Sequence, residues 1–301
     1  MSNCVSINQQ PISIEMSKLC KFHLVTSLSQ RLWDKYANQT VGSFIAAFDD
    51  GFPDDVDSFM IWLDSDSEVQ PFIENLGLSE TVASKYKFGS LNTLNEYIIF
   101  ERMYGGNVPL NERGINPEKI PAGSEFRFNY LPFAKKVFSW AASYMSLPEN
   151  DFLVWIDADI MLHRKFDTEF FKHFVDFDLV FLDRDFPWYA AETGFFILKR
   201  TPEMDRFVQL MLHVYISGFV FDMAEWHDGY VFKTLMKIGV DPNLKVLNLN
   251  RTMRERDVFE RTLLADFMEH KKGQKKNILK QGLGMDSNEP PTLINFDPEN
   301  Q

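Results

Sequence analysis

The sequence predicts an α/β domain in which helices cover both faces of a mixed, mainly parallel sheet. Short apolar runs alternate with amphipathic stretches along the chain, which is the pattern of successive strand and helix units. The run Phe152–Ile156 (FLVWI) is apolar without interruption, as expected for a strand that is buried on both faces. The length of 301 residues suits one large domain at 19–280, between tails at 1–18 and 281–301.

Apolar patterning predicts the order of the elements. Runs that are short enough for strands cover 21–26, 44–48, 59–63, 152–156, 179–182, 194–198 and 245–249. Helices are predicted where apolar residues repeat at helical spacing, or where residues typical of helix ends flank the segment. They cover the surroundings of Trp33 and Tyr36, then 72–78, 133–144, 167–174, 202–219 and 228–238. We expect the strand at 245–249 to be the last strand of the chain.

The charge and the cysteine content restrict the class of protein. The formal net charge is −12, and an acidic surface repels nucleic acids and anionic membranes over long distances. Cys4 and Cys20 lack metal-ligand spacing, which suits a reducing compartment. The sequence shows neither a signal-peptide pattern nor an apolar run long enough to span a membrane. We therefore expect a cytoplasmic protein, in a bacterium or a virus-infected cell, with no integral membrane segment.

Three Asp-x-Asp motifs each follow an apolar run. They are Asp157–Asp159, Asp64–Asp66 and Asp183–Asp185. Two acids that leave a strand together offer hard oxygen ligands, which suit Mg²⁺ or Mn²⁺ and, through the ion, phosphate groups. The bare pattern is not specific, because acids in this position also cap helices, form turns or are solvated. The sequence around each motif must therefore decide which of the three is a metal site.

The context of Asp157–Asp159 resembles that of soluble GT-A glycosyltransferases of the bacterial and phage type. The aromatic strand and acid pair of FLVWIDADIMLHRKF (152–166) are similar to the central strand and metal motif of these enzymes. Four further segments resemble the family in the same order along the chain. They are FRFNYLPFAKKVFSWA (126–141), AAETGFFILKR (190–200), EWHDGYVFKTL (225–235) and DFMEHKKGQKK (266–276). The resemblance implies a GT-A fold and a nucleotide-diphosphate sugar as donor, with a UDP-sugar favoured.

The resemblance also implies a metal site at these acids. Asp159 is the first candidate for a direct ligand of Mn²⁺ or Mg²⁺, and Asp157 would act through the metal or the donor ribose. His270 would complete the site from the opposite wall, since imidazole suits Mn²⁺ better than Mg²⁺. Bound metal would neutralise the charge that develops on the leaving phosphate.

Basic residues and a glycine are candidates for the donor-binding site. In HKKGQKK, Gly273 would allow backbone to approach a phosphate, and Lys275 or Lys276 would add positive charge. A solvated basic patch is the alternative interpretation of this segment. Lys135 and Lys136 are adjacent on a predicted helix, so we expect one to reach the donor nucleotide and the other to be solvated.

Three residues are candidates for binding the acceptor or acting on it. Asp228 lies where a helix is predicted to start, so it is either an N-cap or the general base that deprotonates an acceptor hydroxyl. Glu192 would orient the acceptor or face the anomeric carbon. Trp188 would stack on a sugar or belong to the core.

The favoured function is transfer of a sugar to a hydroxyl of a glycan. A phage-type DNA glycosyltransferase that modifies hydroxymethylated bases is the second interpretation, against which the net charge counts mildly. A sugar nucleotidyltransferase is disfavoured, because no glycine-rich loop follows the first strand in SLSQRLWDK (27–35). A non-catalytic carbohydrate-binding protein with the same fold also remains open.

Overall fold

A seven-stranded sheet forms the centre of the described part of the chain. The coordinates are a computed structural model that describes residues 20–36, 41–64, 69–106, 108–183, 190–239, 241–250, 259 and 262–270. The predicted tails at 1–18 and 281–301 lie outside this part of the chain. Every described residue falls within one compact unit that ends at His270.

The strands form one large and one small sheet. They are β1 (Phe22–Leu28), β2 (Val56–Leu63), β3 (Tyr86–Ser90), β4 (Phe152–Ile156), β5 (Ile160–Leu162), β6 (Leu179–Leu182), β7 (Glu192–Lys199), β8 (Val246–Asn248) and β9 (Met268–His270). The large sheet has the order β3-β2-β1-β4-β7-β6-β8, and β5 pairs with β9 in the small one.

The helices connect and cover these strands. They are α1 (Gln30–Tyr36), α2 (Val41–Ala47), α3 (Val69–Glu74), α4 (Glu80–Ala83), α5 (Asn95–Tyr104), α6 (Tyr130–Ser146), α7 (Thr168–Lys172), α8 (Pro202–Ile216) and α9 (Asp228–Gly239). Short 3₁₀ turns cover Leu91–Thr93, Asn111–Arg113, Pro117–Lys119, Glu125–Phe128, Phe219–Asp222 and Leu263–Asp266.

Strand directions confirm the predicted mixed, mainly parallel sheet. The pairs β1–β2, β2–β3, β1–β4 and β6–β8 are parallel. Only β7 runs the other way, antiparallel to both of its neighbours, β4 and β6. The amino end of β7 therefore lies at the same edge as the carboxyl ends of the other six strands, which is the edge where α/β sheets bind ligands.

The alternation of side chains along β4 divides the core into two layers. Phe152, Val154 and Ile156 join the apolar cluster that includes residues of α1 to α4 and α7. Leu153 and Trp155 join the cluster that includes residues of α5, α6, α8 and α9. Because successive strand residues point to opposite faces, the two clusters lie on opposite sides of the sheet. The predicted covering of both faces by helices is confirmed.

One predicted element is wrong, and so is one prediction about the order of the strands. Residues 44–48 were expected to form a strand, but Phe44 and Ile45 lie in α2 and Phe48 follows its end. With Val41, their buried positions recur at i, i+3, i+4 and i+7, which is the spacing of one helix face. The strand at 245–249 is not the last one, because β9 follows it. The sequence of β9, Met-Glu-His, has no apolar run by which it could be recognised.

A stability prediction follows from the aromatic packing on β7. Phe196 is buried against Trp140, Trp155 and Phe232. Because truncation leaves a cavity between these rings, Phe196→Ala should lower the free energy of unfolding by about 3–5 kcal/mol. Phe219→Ala, at a Phe that is 56% exposed, should change it by about 0.5 kcal/mol or less. Urea unfolding followed by circular dichroism measures both, and equal losses would contradict the assignment of Phe196 to the core.

Candidate metal centre at the carboxyl edge of the sheet

Asp157 and Asp159 lie in a turn that is fixed against β7. The backbone N–H of Asp157 donates to the carbonyl of Gly194 (2.8 Å), and the N–H of Ile160 donates back to the carbonyl of Asp157 (3.0 Å). The first bond continues the β4–β7 pairing by one residue beyond the end of β4. The second closes the turn that leads into β5. The acid pair is therefore held at the carboxyl edge by backbone contacts on both sides.

The small sheet brings His270 to this turn. Ile160 of β5 is the register partner of His270 on β9. The Nε2 atom of His270 lies 2.9 Å from Oδ1 of Asp159. One ligand atom each from Asp157, Asp159 and His270 can be chosen so that all lie within 4.8 Å of one another. The structure thus brings together the three residues that the sequence predicted as metal ligands.

The other two Asp-x-Asp motifs have a different environment. Asp64, after β2, pairs with Lys135 at 2.9 Å, and Asp183, after β6, pairs with Lys233 at 2.5 Å. The second acids of these motifs lie outside the described residues. Among the residues that the structure describes, only the group around Asp157 combines three acids or histidines with converging ligand atoms.

A buried lysine connects Asp157 to the start of α9. The ammonium group of Lys136 lies 2.7 Å from Oδ1 of Asp157 and 2.9 Å from Oδ2 of Asp228. It also donates to the backbone carbonyl of Thr193 at 2.7 Å. The Thr193 hydroxyl donates to the same Oδ2 of Asp228 at 2.7 Å. These contacts join α6, β7, α9 and the turn after β4.

Electrostatics within this network keep both partners charged. Burial by itself would lower the pKa of Lys136, but Asp157 and Asp228 raise it above its ordinary value. Burial would likewise raise the pKa of Asp228, yet the charge and hydrogen bond of Lys136, together with Thr193 and His227, lower it. The desolvation of each ion is thus offset by its partners.

Each of the two adjacent lysines pairs with carboxylates of the protein. Lys136 is buried between two carboxylates, and Lys135 is half-buried against Asp64. Adjacent helix positions point about 100° apart, so each lysine reaches the acid of a different strand. The expectation that one of them is solvated is wrong.

Glu192 and Gly194, both on β7, lie next to the imidazole of His270. Oε1 of Glu192 lies 3.6 Å from Nδ1 of His270 and accepts a hydrogen bond from the N–H of Gly194 at 3.2 Å. A Cβ atom on Gly194 would lie 2.8 Å from Cε1 and 3.0 Å from Nδ1 of His270. The glycine is therefore needed for the close approach of the imidazole to β7.

Two residues of the site gave no signal in the sequence. Trp155 donates from Nε1 to Oδ1 of Asp157 at 2.8 Å, and it resembles any core tryptophan because it lies within an apolar strand. Thr193 bonds to Lys136 and Asp228, which are distant from it in sequence. The predicted donor-site residues Gly273, Lys275 and Lys276 lie outside the described residues, as does Trp188.

Several solved structures align with most of the chain at low sequence identity. No family model matches the sequence, and no curated protein matches it. An active-site mutant of LgtC aligns with a TM-score of 0.43 at 13% identity, over 76% of this chain and 72% of that one. Mouse xyloside xylosyltransferase 1, in its apo form, gives 0.44 at 12%, over 76% and 85%.

The galactosyltransferase LgtC in complex with donor and acceptor sugar analogues gives a TM-score of 0.46 at 12% identity, over 80% of this chain and 83% of that one. Identities this low do not assign an activity, since one fold serves many functions. In the described part of the chain, no helix has the length and apolar composition that a membrane crossing requires.

Gly194→Ala tests the packing of His270 in this centre. The added methyl group should displace the imidazole from Asp159 and weaken Mn²⁺ binding about tenfold or more, the size of effect seen when groups supporting a metal ligand are changed. Gly106→Ala is the control, because a Cβ there meets no atom within 4 Å. Isothermal titration with Mn²⁺ measures both variants. Unchanged affinity in Gly194→Ala would contradict a role for His270 as ligand.

The adjacent lysines offer a matched pair for testing the buried network. Lys136→Met leaves Asp228 buried without its ammonium partner, so the free energy of unfolding should fall by about 3–5 kcal/mol. Lys135→Met removes a partly exposed ion pair and should lower it by about 1 kcal/mol or less. Guanidinium unfolding measures both values. Losses of similar size would show that Lys136 has no special structural role.

Proposed function

We propose that the protein is a metal-dependent glycosyltransferase that moves a sugar from a nucleotide-diphosphate sugar, with a UDP-sugar favoured, to an acceptor hydroxyl. The observation that carries the proposal is the convergence of Asp157, Asp159 and His270 at the carboxyl edge of the parallel strands. Ligands of open α/β sheets bind at this edge. A centre of two carboxylates and one imidazole there suits a divalent cation that contacts phosphate.

The ligand set of the centre suits a divalent cation such as Mn²⁺ or Mg²⁺. Asp157, Asp159 and His270 would hold it, since one ligand atom from each lies within 4.8 Å of the others. The imidazole favours Mn²⁺ over Mg²⁺, because Mg²⁺ prefers oxygen ligands and keeps much of its water. When bound, the ion would supply positive charge for the leaving diphosphate.

The residues around Asp157 support a positioning role for the network. Trp155 and Lys136 both contact Oδ1 of Asp157, which fixes that oxygen and directs the carboxylate. Since Lys136 already pairs with Asp157 and Asp228, we propose that it orients the carboxylate of Asp157. It is then not the lysine that contacts the donor nucleotide, which the sequence predicted for one of Lys135 and Lys136. Contact with the donor phosphates is left to Gly273, Lys275 and Lys276, which are proposed from the sequence alone.

The environment of Asp228 favours an anchoring role over the predicted one of general base. Its Oδ2 atom is occupied by Lys136 and Thr193, and its pKa is lowered by these partners although burial opposes the shift. A general base works best when its pKa lies near the operating pH. Asp228 therefore serves best as the carboxylate that holds Lys136 and the start of α9 in place.

Glu192 is better placed to support the metal centre than to act on the acceptor. Histidine ligands of metals usually direct their second ring nitrogen to a carboxylate or carbonyl, which fixes the tautomer. Glu192 is the acid that faces Nδ1 of His270. We propose that it orients this imidazole and that the acceptor binds elsewhere along the same edge.

Asp159→Asn tests the function. Removing one charged ligand should lower metal-dependent turnover about 100-fold or more, since a catalytic metal supplies several kcal/mol of charge stabilisation. The secondary structure should stay intact, because the change keeps the shape of the side chain. Release of free nucleotide from a panel of UDP-, GDP- and ADP-sugars, with Mn²⁺ or with EDTA, measures turnover.

The control for this test is Asp64→Asn, which changes the first acid of another Asp-x-Asp motif and should keep most of the turnover. Equal turnover in Asp159→Asn and in the unchanged protein would refute the metal assignment. Release of pyrophosphate from a sugar phosphate and a nucleoside triphosphate would instead indicate a nucleotidyltransferase. Nucleotide binding with no turnover of any donor would indicate a carbohydrate-binding protein.

A further inference from the structure

We propose that the aromatic side chains beside Asp228 form the subsite for a pyranose ring of the acceptor. This aromatic subsite consists of Phe126, Phe133, His227 and Tyr230. The inference rests on the proposed function, because it names the substrate class that the candidate centre would act on. The Asp-x-Asp motifs and the metal centre give these four residues no role.

The subsite is continuous with the ionic network. On α6, Phe133 precedes Lys136 by three residues, which places both side chains on the same side of the helix. Their partners are consecutive residues before and at the start of α9: Phe133 contacts His227, and Lys136 contacts Asp228. The aromatic rings therefore lie next to the group that holds Asp157, along the edge where the donor is proposed to bind.

Three rings surround the imidazole of His227. The ring centroids of Phe126 and Phe133 lie 5.7 and 5.6 Å from that of His227, and the centroid of Tyr230 lies 6.4 Å away. His227 itself is buried, whereas Phe126 is 51% exposed. Phe133 and Tyr230 are half-buried. The cluster thus exposes aromatic rings to solvent, and these rings pack on the buried imidazole of His227.

A fixed ion pair holds this surface in place. Nε2 of His227 lies 2.8 Å from one carboxylate oxygen of Glu225, and the guanidinium of Arg127 donates to the other oxygen at 2.8 Å. The backbone N–H of Trp226 also donates to the carbonyl of Arg127 at 2.7 Å. These bonds tie the turn at Glu125–Phe128 to the segment before α9. The imidazole is therefore oriented before any ligand arrives.

The chemistry of the surface suits a sugar. One face of a pyranose carries C–H groups with a small positive charge, which are attracted to the negative face of an aromatic ring. Hydroxyl groups at the rim of the sugar need hydrogen-bond partners, and the carboxylate of Glu225 and the guanidinium of Arg127 offer an acceptor and donors beside the rings. Aromatic side chains beside a few fixed polar groups are the usual lining of a small-ligand site.

A glycan fits this surface better than duplex DNA. Affinity for DNA depends mainly on lysine and arginine contacts to phosphate. The charged pair at the subsite, Arg127 and Glu225, has no net charge, and the whole chain carries −12. Aromatic stacking on a free base would also require the duplex to be opened. The observations therefore favour a saccharide as the occupant.

The test is direct binding of sugars, without donor or metal. Saturation-transfer NMR is run on the full-length protein with glucose, galactose, lactose, maltose and cellobiose as probes. A hydroxymethylcytosine duplex forms a separate arm. We expect at least one saccharide to bind, and Phe126→Ala to weaken it by about tenfold, the range expected for loss of an aromatic contact. Phe126→Trp, which keeps an aromatic ring at this position, should bind the saccharide as the unchanged protein does.

Phe219→Ala is the matched control, because Phe219 is also exposed and also lies against a histidine, His213, at 6.0 Å between centroids. It should bind sugar as the unchanged protein does. Circular dichroism and thermal unfolding verify that Phe126→Ala folds. The aromatic subsite is refuted if no saccharide binds, if Phe126→Ala binds as tightly as the unchanged protein, or if both alanine variants lose binding equally.

Binding of the duplex through Phe126 in place of a saccharide would also overturn the glycan assignment. The sugar experiment is independent of the donor experiment. Nucleotide release from the donor with no sugar binding counts against the aromatic subsite alone. Sugar binding without metal-dependent turnover of any donor counts against the proposed glycosyltransferase activity alone.

Discussion

The ammonium group of Lys136 is the constraint on which the rest of the site depends. A charge taken out of water is stable only if partners replace the water, and here the partners come from three other elements. Asp157 lies after β4, Thr193 lies on β7, and Asp228 begins α9. Because each partner must reach the same nitrogen, the ends of these elements are fixed relative to one another. The orientation of Asp157 is then a consequence of packing and not of local turn geometry alone.

The reversed strand explains how so many functional groups meet at one edge. In a wholly parallel sheet, only carboxyl ends would meet there. Since β7 runs antiparallel between β4 and β6, its amino end contributes Glu192, Thr193 and Gly194 to the same place. Each has a different function: Glu192 faces His270, Thr193 bridges Lys136 to Asp228, and Gly194 leaves the space that the imidazole occupies.

Much of the fold could be predicted, because the signal for most elements is local. The apolar run 152–156 and the helical spacing of 133–144 mark β4 and α6 without any knowledge of their neighbours. The site could be predicted only in part. β9 has three residues and no apolar run, so nothing local indicates that it brings His270 to Asp159. The carboxylate partners of Lys136, which are Asp157 and Asp228, could not be predicted for the same reason, since an ion pair between distant residues leaves no pattern in the sequence around either one.

The three Asp-x-Asp motifs show why the local pattern does not define a metal site. All three follow strands of the same sheet, and the first acid of each pairs with a lysine, as Lys135 does with Asp64. A lysine beside the motif therefore does not distinguish a metal site from a structural ion pair. The turn after Asp157–Asp159 differs because it leads directly into β5, whose pairing with β9 supplies an imidazole. A cation needs several ligands that converge on one point. The residue that distinguishes this motif is therefore His270, which β9 brings from the far end of the described chain.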